Sequence, residues 1–218
     1  MKNLKSFFLI LFLFTCTNIS FSQNYTPFEG KLVYKVELSD SISKKPIETK
    51  FVTLFTDDKM VRIESETNQL GSQILIKHLI LNKYYILLEV NNQKYAIQHL
   101  MESDSAAQNS PSKYTFTKKF GSKRFDGKKA KKISVNAKHF AKPIDMYYFK
   151  NLNPKYLDAI KGIPGLPADY YLQTEDGVYH YTLIQYSEEK QPADLYGIPS
   201  TYKKLSFDEF MEIMMQQQ

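Results

Sequence analysis

Apolar and polar residues alternate along most of the chain after residue 28, with the period of two that is typical of β-strands. In the first such segment Leu32, Tyr34 and Val36 fall on one side, and Lys31 and Lys35 fall on the other. The same analysis predicts strands over residues 28–38, 50–55, 60–64, 73–81, 84–90, 94–99, 114–120, 128–135, 144–149, 170–173 and 178–186. The pattern therefore predicts a mainly β protein.

Short polar turns join these predicted strands. They lie at residues 56–59, Asn82-Lys83, Asn91-Asn92, Asp126-Gly127 and Asp176-Gly177. Asn, Asp and Gly accept the backbone conformations of tight hairpins, so the strands are expected to form an antiparallel meander. Residues 74–76 and 86–88 are apolar at every position, which predicts that both faces of the sheet are covered.

Two helices are predicted. Asn153 is placed as an N-cap before Pro154, and Gly162 is placed to end a helix of about two turns over residues 153–161. Near the C-terminus, Ser206 and Glu209 have the spacing of a capping box. The apolar stripe of that second helix is expected to comprise Phe207, Phe210, Met211 and Met214. Together with the strands, these helices give an α+β chain built on a single sheet.

The N-terminus has the pattern of a secretory signal peptide. Lys2 and Lys5 precede an apolar run over residues 7–14, and Ser20 and Ser22 supply small residues before the expected cleavage site. The domain prediction is a signal peptide over residues 1–22 and one exported domain over residues 23–218, located in the periplasm, at the outer membrane or outside the cell. The alternative, a lipoprotein signal acylated at Cys16, requires small residues where Phe14 and Thr15 stand. Residues 102–113 are small and polar and are interpreted as a loop within the one domain.

The composition and the spacing of reactive residues exclude several kinds of catalytic and metal site. Cys16, in the predicted signal, is the only cysteine, so the mature chain has no disulfide and no thiol nucleophile. Cleavage removes Lys2 and Lys5 and lowers the formal net charge from +6 to +4. No histidine pair has metalloprotease spacing, the carboxylate pairs fall in turns, and no phosphate-binding loop or nucleophile elbow is present. We therefore predict a protein that is not an enzyme and has no metal or cofactor, with an envelope hydrolase as a minority alternative.

Positive charge is concentrated between Lys113 and Lys142. Eleven lysines and arginines face the single acid Asp126 there, a net charge of +10. The predicted basic surface comprises Lys118, Lys119, Lys123, Arg124, Lys128, Lys129, Lys131 and Lys132. Export, the scarcity of arginine and the lack of a basic helix argue against nucleic acid and favour an anionic lipid or polysaccharide.

The segment Gly162-Ile163-Pro164-Gly165-Leu166-Pro167 predicts a type II turn, with Pro164 fixing φ and Gly165 taking a positive φ. With residues 125–132 and 147–149, it resembles the GLPGLI family of exported proteins of Gram-negative bacteria. It departs from that motif by Ile163 in place of leucine and by Pro167 in place of isoleucine, which removes a backbone donor at the start of the next strand.

Residues 28–31 and 198–203 are similar to a related exported family with the curved half-barrel of periplasmic lipoprotein carriers. The resemblance implies a single curved, half-barrel sheet. Neither family has an assigned activity, so the resemblance implies no catalytic residue.

Two functional hypotheses follow. In the first, the concave face binds a lipid or another apolar ligand, and its expected lining is Leu75, Leu79, Tyr85, Leu87 and Ile97. In the alternative, the protein is a structural or interaction module of the cell envelope that docks through its lysine-rich hairpins. Asp-Ser-apolar sequences at Ser41 and Ser105 also match a short O-glycosylation motif of exported proteins.

Overall fold

The computed structural model describes residues 24–39, 46–67, 71–100, 114–138, 140–174 and 177–216. Twelve strands are formed in chain order: β1 (Glu29–Ser39), β2 (Pro46–Asp57), β3 (Met60–Thr67), β4 (Gly71–His78), β5 (Lys83–Val90), β6 (Gln93–Leu100), β7 (Tyr114–Phe125), β8 (Lys128–Ala137), β9 (Ile144–Phe149), β10 (Leu166–Thr174), β11 (Gly177–Glu188) and β12 (Lys203–Ser206). One helix, α1 (Phe207–Gln216), ends the described chain.

All twelve strands belong to one open, curved, mostly antiparallel sheet, which confirms the predicted fold class. Their order is β12-β6-β5-β4-β3-β2-β1-β11-β10-β9-β8-β7. The sheet therefore consists of two meanders joined where β1 pairs with β11. The exception to antiparallel pairing is β12, which runs parallel to β6 and was not predicted.

The two faces of the sheet can be followed from β1. Leu32, Tyr34 and Val36 are buried at alternate positions, as predicted, and we name their side the Tyr34 face. Leu32 pairs with Leu54 of β2, and Tyr34 pairs with Leu183 of β11. Paired residues share a face, so the register extends the Tyr34 face across the whole sheet.

Three segments cover the sheet. Residues 150–165 pack on the Tyr34 face, where Tyr156, Ile160 and Ile163 join the main buried cluster. Helix α1 covers the β5–β6–β12 end of the same face through Phe210 and Ile213. Residues 189–202 cross the opposite face and cover the buried residues Ile76, Leu87 and Ala96 with Ile198 and Tyr202. The prediction that both faces are covered is confirmed for these strands.

The predicted turn chemistry is present in three hairpins. Asp57 accepts hydrogen bonds from the backbone N–H groups of Lys59 and Met60, which closes the β2–β3 turn. Asn91 and Asn92 both have positive φ between β5 and β6, as do Asp126 and Gly127 between β7 and β8. Two consecutive residues with positive φ match the twist of the flanking strands.

The helices differ in part from the prediction. Asn153 caps a single 3-10 turn, Pro154–Tyr156, by accepting a hydrogen bond from the Lys155 N–H; the two-turn helix is not formed. The chain leaves helical geometry at Asp158, whose φ is +56°. The rest of the segment follows the surface of the sheet and buries Ile160.

At α1 the capping box is confirmed, since the Glu209 N–H donates to Ser206 Oγ at 3.2 Å and the Ser206 N–H donates to Glu209 Oε2 at 2.7 Å. The predicted stripe is wrong at Phe207 and Met211, which are exposed by 46% and 39% and do not join the buried cluster. Because α1 follows β12 directly, the strand sets the helix rotation, and Phe210 and Ile213 face the sheet.

Several predictions lie outside the described residues. These are the signal peptide with Cys16, the whole 102–113 loop, and the motifs at Ser41 and Ser105. Within the part of the chain that the structure describes, no helix combines the length and the apolar character needed to cross a membrane.

Candidate docking surface

The β7–β8 hairpin forms one edge of the sheet, because no described strand pairs with the outer side of β7. Pairing runs regularly to Lys118, opposite Ile133, and resumes at Ser122, opposite Lys131. Residues 119–121 therefore face the single residue Lys132, which is a bulge. At its centre the Phe120 side chain is fully exposed (104%). The bulge thus projects an aromatic ring from the edge of the sheet.

Half of the predicted basic residues are held by contacts within the protein. These residues connect the hairpin to itself and to strands β9, β10 and β11. The contacts are Lys123 Nζ to Asp169 Oδ2 (3.1 Å), Lys128 Nζ to Glu188 Oε1 (2.7 Å), Lys132 Nζ to Asp145 Oδ2 (2.7 Å) and Arg124 Nη1 to the Gly127 carbonyl (2.6 Å). Three of these four side chains therefore pair with a carboxylate of the same protein, and Arg124 donates to a backbone carbonyl.

The other four lysines are exposed, and no described residue forms an ion pair with any of them. We name them the open lysines; they are Lys118, Lys119, Lys129 and Lys131. They line one cleft of about 410 Å³ together with Phe120, Gly121, Ser122, Lys132, Tyr148 and Lys150. Four ammonium groups around one concave surface create a positive potential that attracts anions.

A buried carboxylate anchors the hairpin. Asp169 on β10 receives Lys123 on one oxygen and lies 2.7 Å from His180 Nε2 through the other. Thr182 Oγ1 lies 3.3 Å from the same nitrogen, and the His180 ring stacks on Tyr171 with centroids 4.2 Å apart. Burial by itself raises the pKa of Asp169, but the hydrogen bonds and charges of His180 and Lys123 outweigh it and lower that pKa below its usual value. This cluster connects β7, β10 and β11.

Sequence analysis missed Asp169. The structure places Thr174 opposite Gly177 and Asp169 opposite Thr182, whereas the predicted turn at Asp176-Gly177 shifts this pairing by two residues and is wrong. A carboxylate and a histidine two positions apart across a hairpin are diagonal neighbours on one face.

The predicted apolar lining does not form one surface. Leu75 and Ile97 both pair with Ile86, so they lie on the Tyr34 face. Tyr85 and Leu87 flank Ile86 in sequence and therefore lie on the opposite face. There Leu87 is buried, and both pack near Ile198 and Tyr202. Leu79 lies in the turn after β4 and packs against the main cluster. The five-residue set is wrong as a single lining, since a shift of one residue reverses the face.

The segment 150–165 covers much of the Tyr34 face. The Tyr156 hydroxyl hydrogen-bonds to the Asp58 carboxylate, and Lys77 Nζ donates to the Leu157 carbonyl at 2.9 Å. Burial lowers the pKa of Lys77 to about 8, although the charge of Asp158 opposes that shift. These contacts hold the covering segment on β4 and on the β2–β3 turn.

The Gly-Pro motif has a different structural role from the one predicted. Gly162 has a φ of +85°, whereas the φ of Gly165 is not positive, so the type II turn centred on Pro164-Gly165 is not formed. A Cβ at Gly165 would lie 2.3 Å from the Phe149 carbonyl oxygen, and this close backbone approach requires glycine. Pro167 lies within β10, where its carbonyl accepts a hydrogen bond from the Tyr34 hydroxyl at 2.8 Å.

The described histidines have local roles. His78 Nδ1 accepts a hydrogen bond from the Leu81 N–H, and the His99 ring stacks on Tyr84 and contacts Phe207. In the described ranges, no group of three or more His, Cys, Asp or Glu residues is placed to hold a metal ion.

Comparisons with known proteins do not assign this chain to a family. No family model matches the sequence, and no curated protein matches it. Among solved structures, the fold is similar to that of an uncharacterized conserved protein from Thermus thermophilus, with a TM-score of 0.48 and 11% identity over 82% of this chain and 91% of that one.

Proposed function

We propose that this protein is an exported, non-enzymatic docking module that binds an anionic component of the cell envelope through its open lysines. The observation that carries this proposal is the division of the basic residues into two groups. One group is paired inside the fold, and the other lines the cleft at the sheet edge without an ion pair among the described residues. Export is supported by the signal-peptide pattern of residues 1–22.

A purely protective role for these lysines explains the edge less well. Lysines and bulges on an edge strand do prevent edge-to-edge pairing of sheets. A fully exposed phenylalanine in the same bulge works against that purpose, because exposed apolar groups on an edge favour aggregation. The combination is better explained by a partner that contacts both the charges and the ring.

The test compares two variants that each lose four positive charges. The first changes the open lysines (K118Q, K119Q, K129Q and K131Q), and the matched control changes exposed lysines elsewhere (K59Q, K190Q, K203Q and K204Q). Affinity for dextran sulfate at low ionic strength is measured by calorimetry. Since each lysine near an anionic surface contributes about 1 kcal/mol, the four substitutions together cost about 4 kcal/mol, and we expect the first variant to lose about 1,000-fold in affinity. We expect a loss below about fivefold for the control, because its four lysines lie at three separate sites, residues 59, 190 and 203–204. Equal losses would mean that only net charge matters and would refute the proposed site.

A second function is favoured by a different region. Near the β4–β5 turn, apolar side chains are exposed at Ile80, Leu81, Leu100 and Phe207. Leu100 pairs with Lys83 and follows His99, which contacts Phe207, so these residues lie at one end of the sheet. The half-buried Leu75 and the buried Ile97 lie on the adjoining Tyr34 face. We propose on this basis that an apolar ligand binds beside α1.

Native mass spectrometry tests this second function on protein purified without detergent. A stoichiometric lipid that leaves only on denaturation is the expected result for a carrier. Protein that stays empty after incubation with an envelope lipid extract would exclude the carrier function.

A further inference from the structure

We propose that the partner of the open lysines is an anionic lipid bilayer and that Phe120 inserts into it. This inference rests on the proposed function and specifies its partner. It assigns separate tasks to the two parts of the bulge, with lysines contacting phosphate groups and an aromatic ring entering the apolar region below them.

The position of Phe120 carries the inference. Its ring is fully exposed in the protein, although the other phenylalanines of the hairpin, Phe116 and Phe125, pack against the main cluster. The register shift between Lys118 and Ser122 produces this exposure, because two extra residues push the ring out of the strand. A bilayer supplies the apolar surroundings that the fold does not supply.

The open lysines surround the ring in a way that suits an interface. Lys118 and Lys119 precede Phe120 in sequence, and Lys129 and Lys131 line the same cleft from β8. Lysine side chains have long apolar stems, so their ammonium groups can stay at the phosphate level while a neighbouring ring lies deeper.

The hairpin is already fixed in shape. Lys123 is held by Asp169 and lies 4.9 Å from the centroid of the Phe125 ring, and Lys128 is paired with Glu188. Binding would therefore require little ordering of the backbone, which lowers its entropic cost.

A lipid surface fits this geometry better than a soluble polyanion does. A hydrated polyanion can neutralise the lysines, but it offers no apolar phase for a fully exposed phenylalanine. Transfer of a phenylalanine side chain from water into such a phase is favourable, so Phe120 is expected to add about tenfold to the partition of the protein onto vesicles.

The experiment uses the absence of tryptophan from the sequence. Phe120→Trp gives the full-length protein a single fluorescent reporter in the bulge. Phe51→Trp is the matched control, because Phe51 is also exposed (55%) but lies on β2, which five strands separate from β7. The probes are vesicles of phosphatidylglycerol with phosphatidylcholine and vesicles of phosphatidylcholine alone.

With the anionic vesicles, we expect a blue shift of the Phe120→Trp emission and its quenching by brominated acyl chains. We expect no change for Phe51→Trp. Phe120→Ala is expected to lower the partition about tenfold, while Phe51→Ala leaves it unchanged.

Three results would overturn the inference. Vesicle binding that leaves the Phe120→Trp emission unchanged would exclude insertion while the proposed function stands. Binding to dextran sulfate but not to vesicles would replace the bilayer with a soluble polyanion such as a polysaccharide, and the proposed function would again stand. Binding to neither probe would refute both the inference and the proposed function.

Discussion

The two edges of the sheet differ in the length of the outer strand and in what packs beside it. At one edge, β12 has four residues, pairs in parallel with β6 and leads directly into α1, which covers the buried Leu205 and Tyr95. At the other edge, β7 has twelve residues, carries two of the open lysines, Lys118 and Lys119, and is broken by the bulge at Phe120. The first edge is a short strand backed on one face by a helix, and the second is a long strand that is charged and bulged.

This difference shows how one chain handles the exposed backbone groups of its edge strands. A short edge strand offers few backbone groups to a partner. A long edge strand that is charged and bulged resists edge-to-edge pairing, yet its side chains remain accessible. The protein thus combines a short edge strand backed by a helix with a long edge strand whose lysines and Phe120 are exposed.

The largest effect is expected at Gly165, which keeps the strands behind the β7 edge in place. In Gly165→Ala, the new Cβ would meet the Phe149 carbonyl oxygen and Tyr148 Cδ2, and Tyr148 pairs with Lys131 of β8. We expect the free energy of unfolding to fall by about 3 kcal/mol or more, measured by urea denaturation. Gly71→Ala is the control, since Gly71 has positive φ but open space around it, and about 1 kcal/mol is expected there. Equal losses would show that the contact at Gly165 relaxes easily.

A paired substitution compares the edges directly. The Phe210 ring packs edge-on against Tyr95 at 5.5 Å, so Phe210→Ala should lower the free energy of unfolding by about 2.5 kcal/mol. Phe120→Ala at the β7 edge should change it by less than about 0.5 kcal/mol, because nothing is buried there. Urea denaturation of both variants measures the difference. A destabilised Phe120→Ala variant would mean that Phe120 contributes to the stability of the fold.

A smaller effect is expected where Asp169 connects the β7 edge to β10 and β11. Asp169→Asn loses the charge that holds Lys123 and His180, and we expect the free energy of unfolding to fall by about 1.5 kcal/mol near neutral pH. Because the folded-state pKa of Asp169 is lowered, its stabilisation is present above the unfolded-state pKa and is lost as the pH falls through the folded-state value. The difference between wild type and variant should therefore shrink below about pH 4.

The control for this prediction is Asp145→Asn, which removes the more exposed partner of Lys132. A loss below about 0.5 kcal/mol is expected for such a surface pair. A pH-independent difference at Asp169 would contradict the ionic explanation, and a smaller loss than in Asp145→Asn would show that Asp169 does not anchor the hairpin.

Local signals predicted much of the fold and part of the candidate site. The turn at Asp126-Gly127 and the capping box at Ser206 were identified because their causes lie within four residues of each other. The basic hairpin was identified by its charge. The sequence did not show which of its lysines are open, because the partners of Lys123 and Lys128 lie 46 and 60 residues away along the chain.

By itself, the sequence determined the mainly β fold, most strand positions, the hairpin turns and the concentration of positive charge. Hydrophobic period, turn residues and charge are local properties, so they can be identified without the fold. Only the tertiary structure decided that β12 joins β6, that Tyr85 and Leu87 lie on the face opposite Leu75 and Ile97, and that Gly165 serves close packing. These features depend on register and on contacts between distant segments, and a displacement of one residue changes them all.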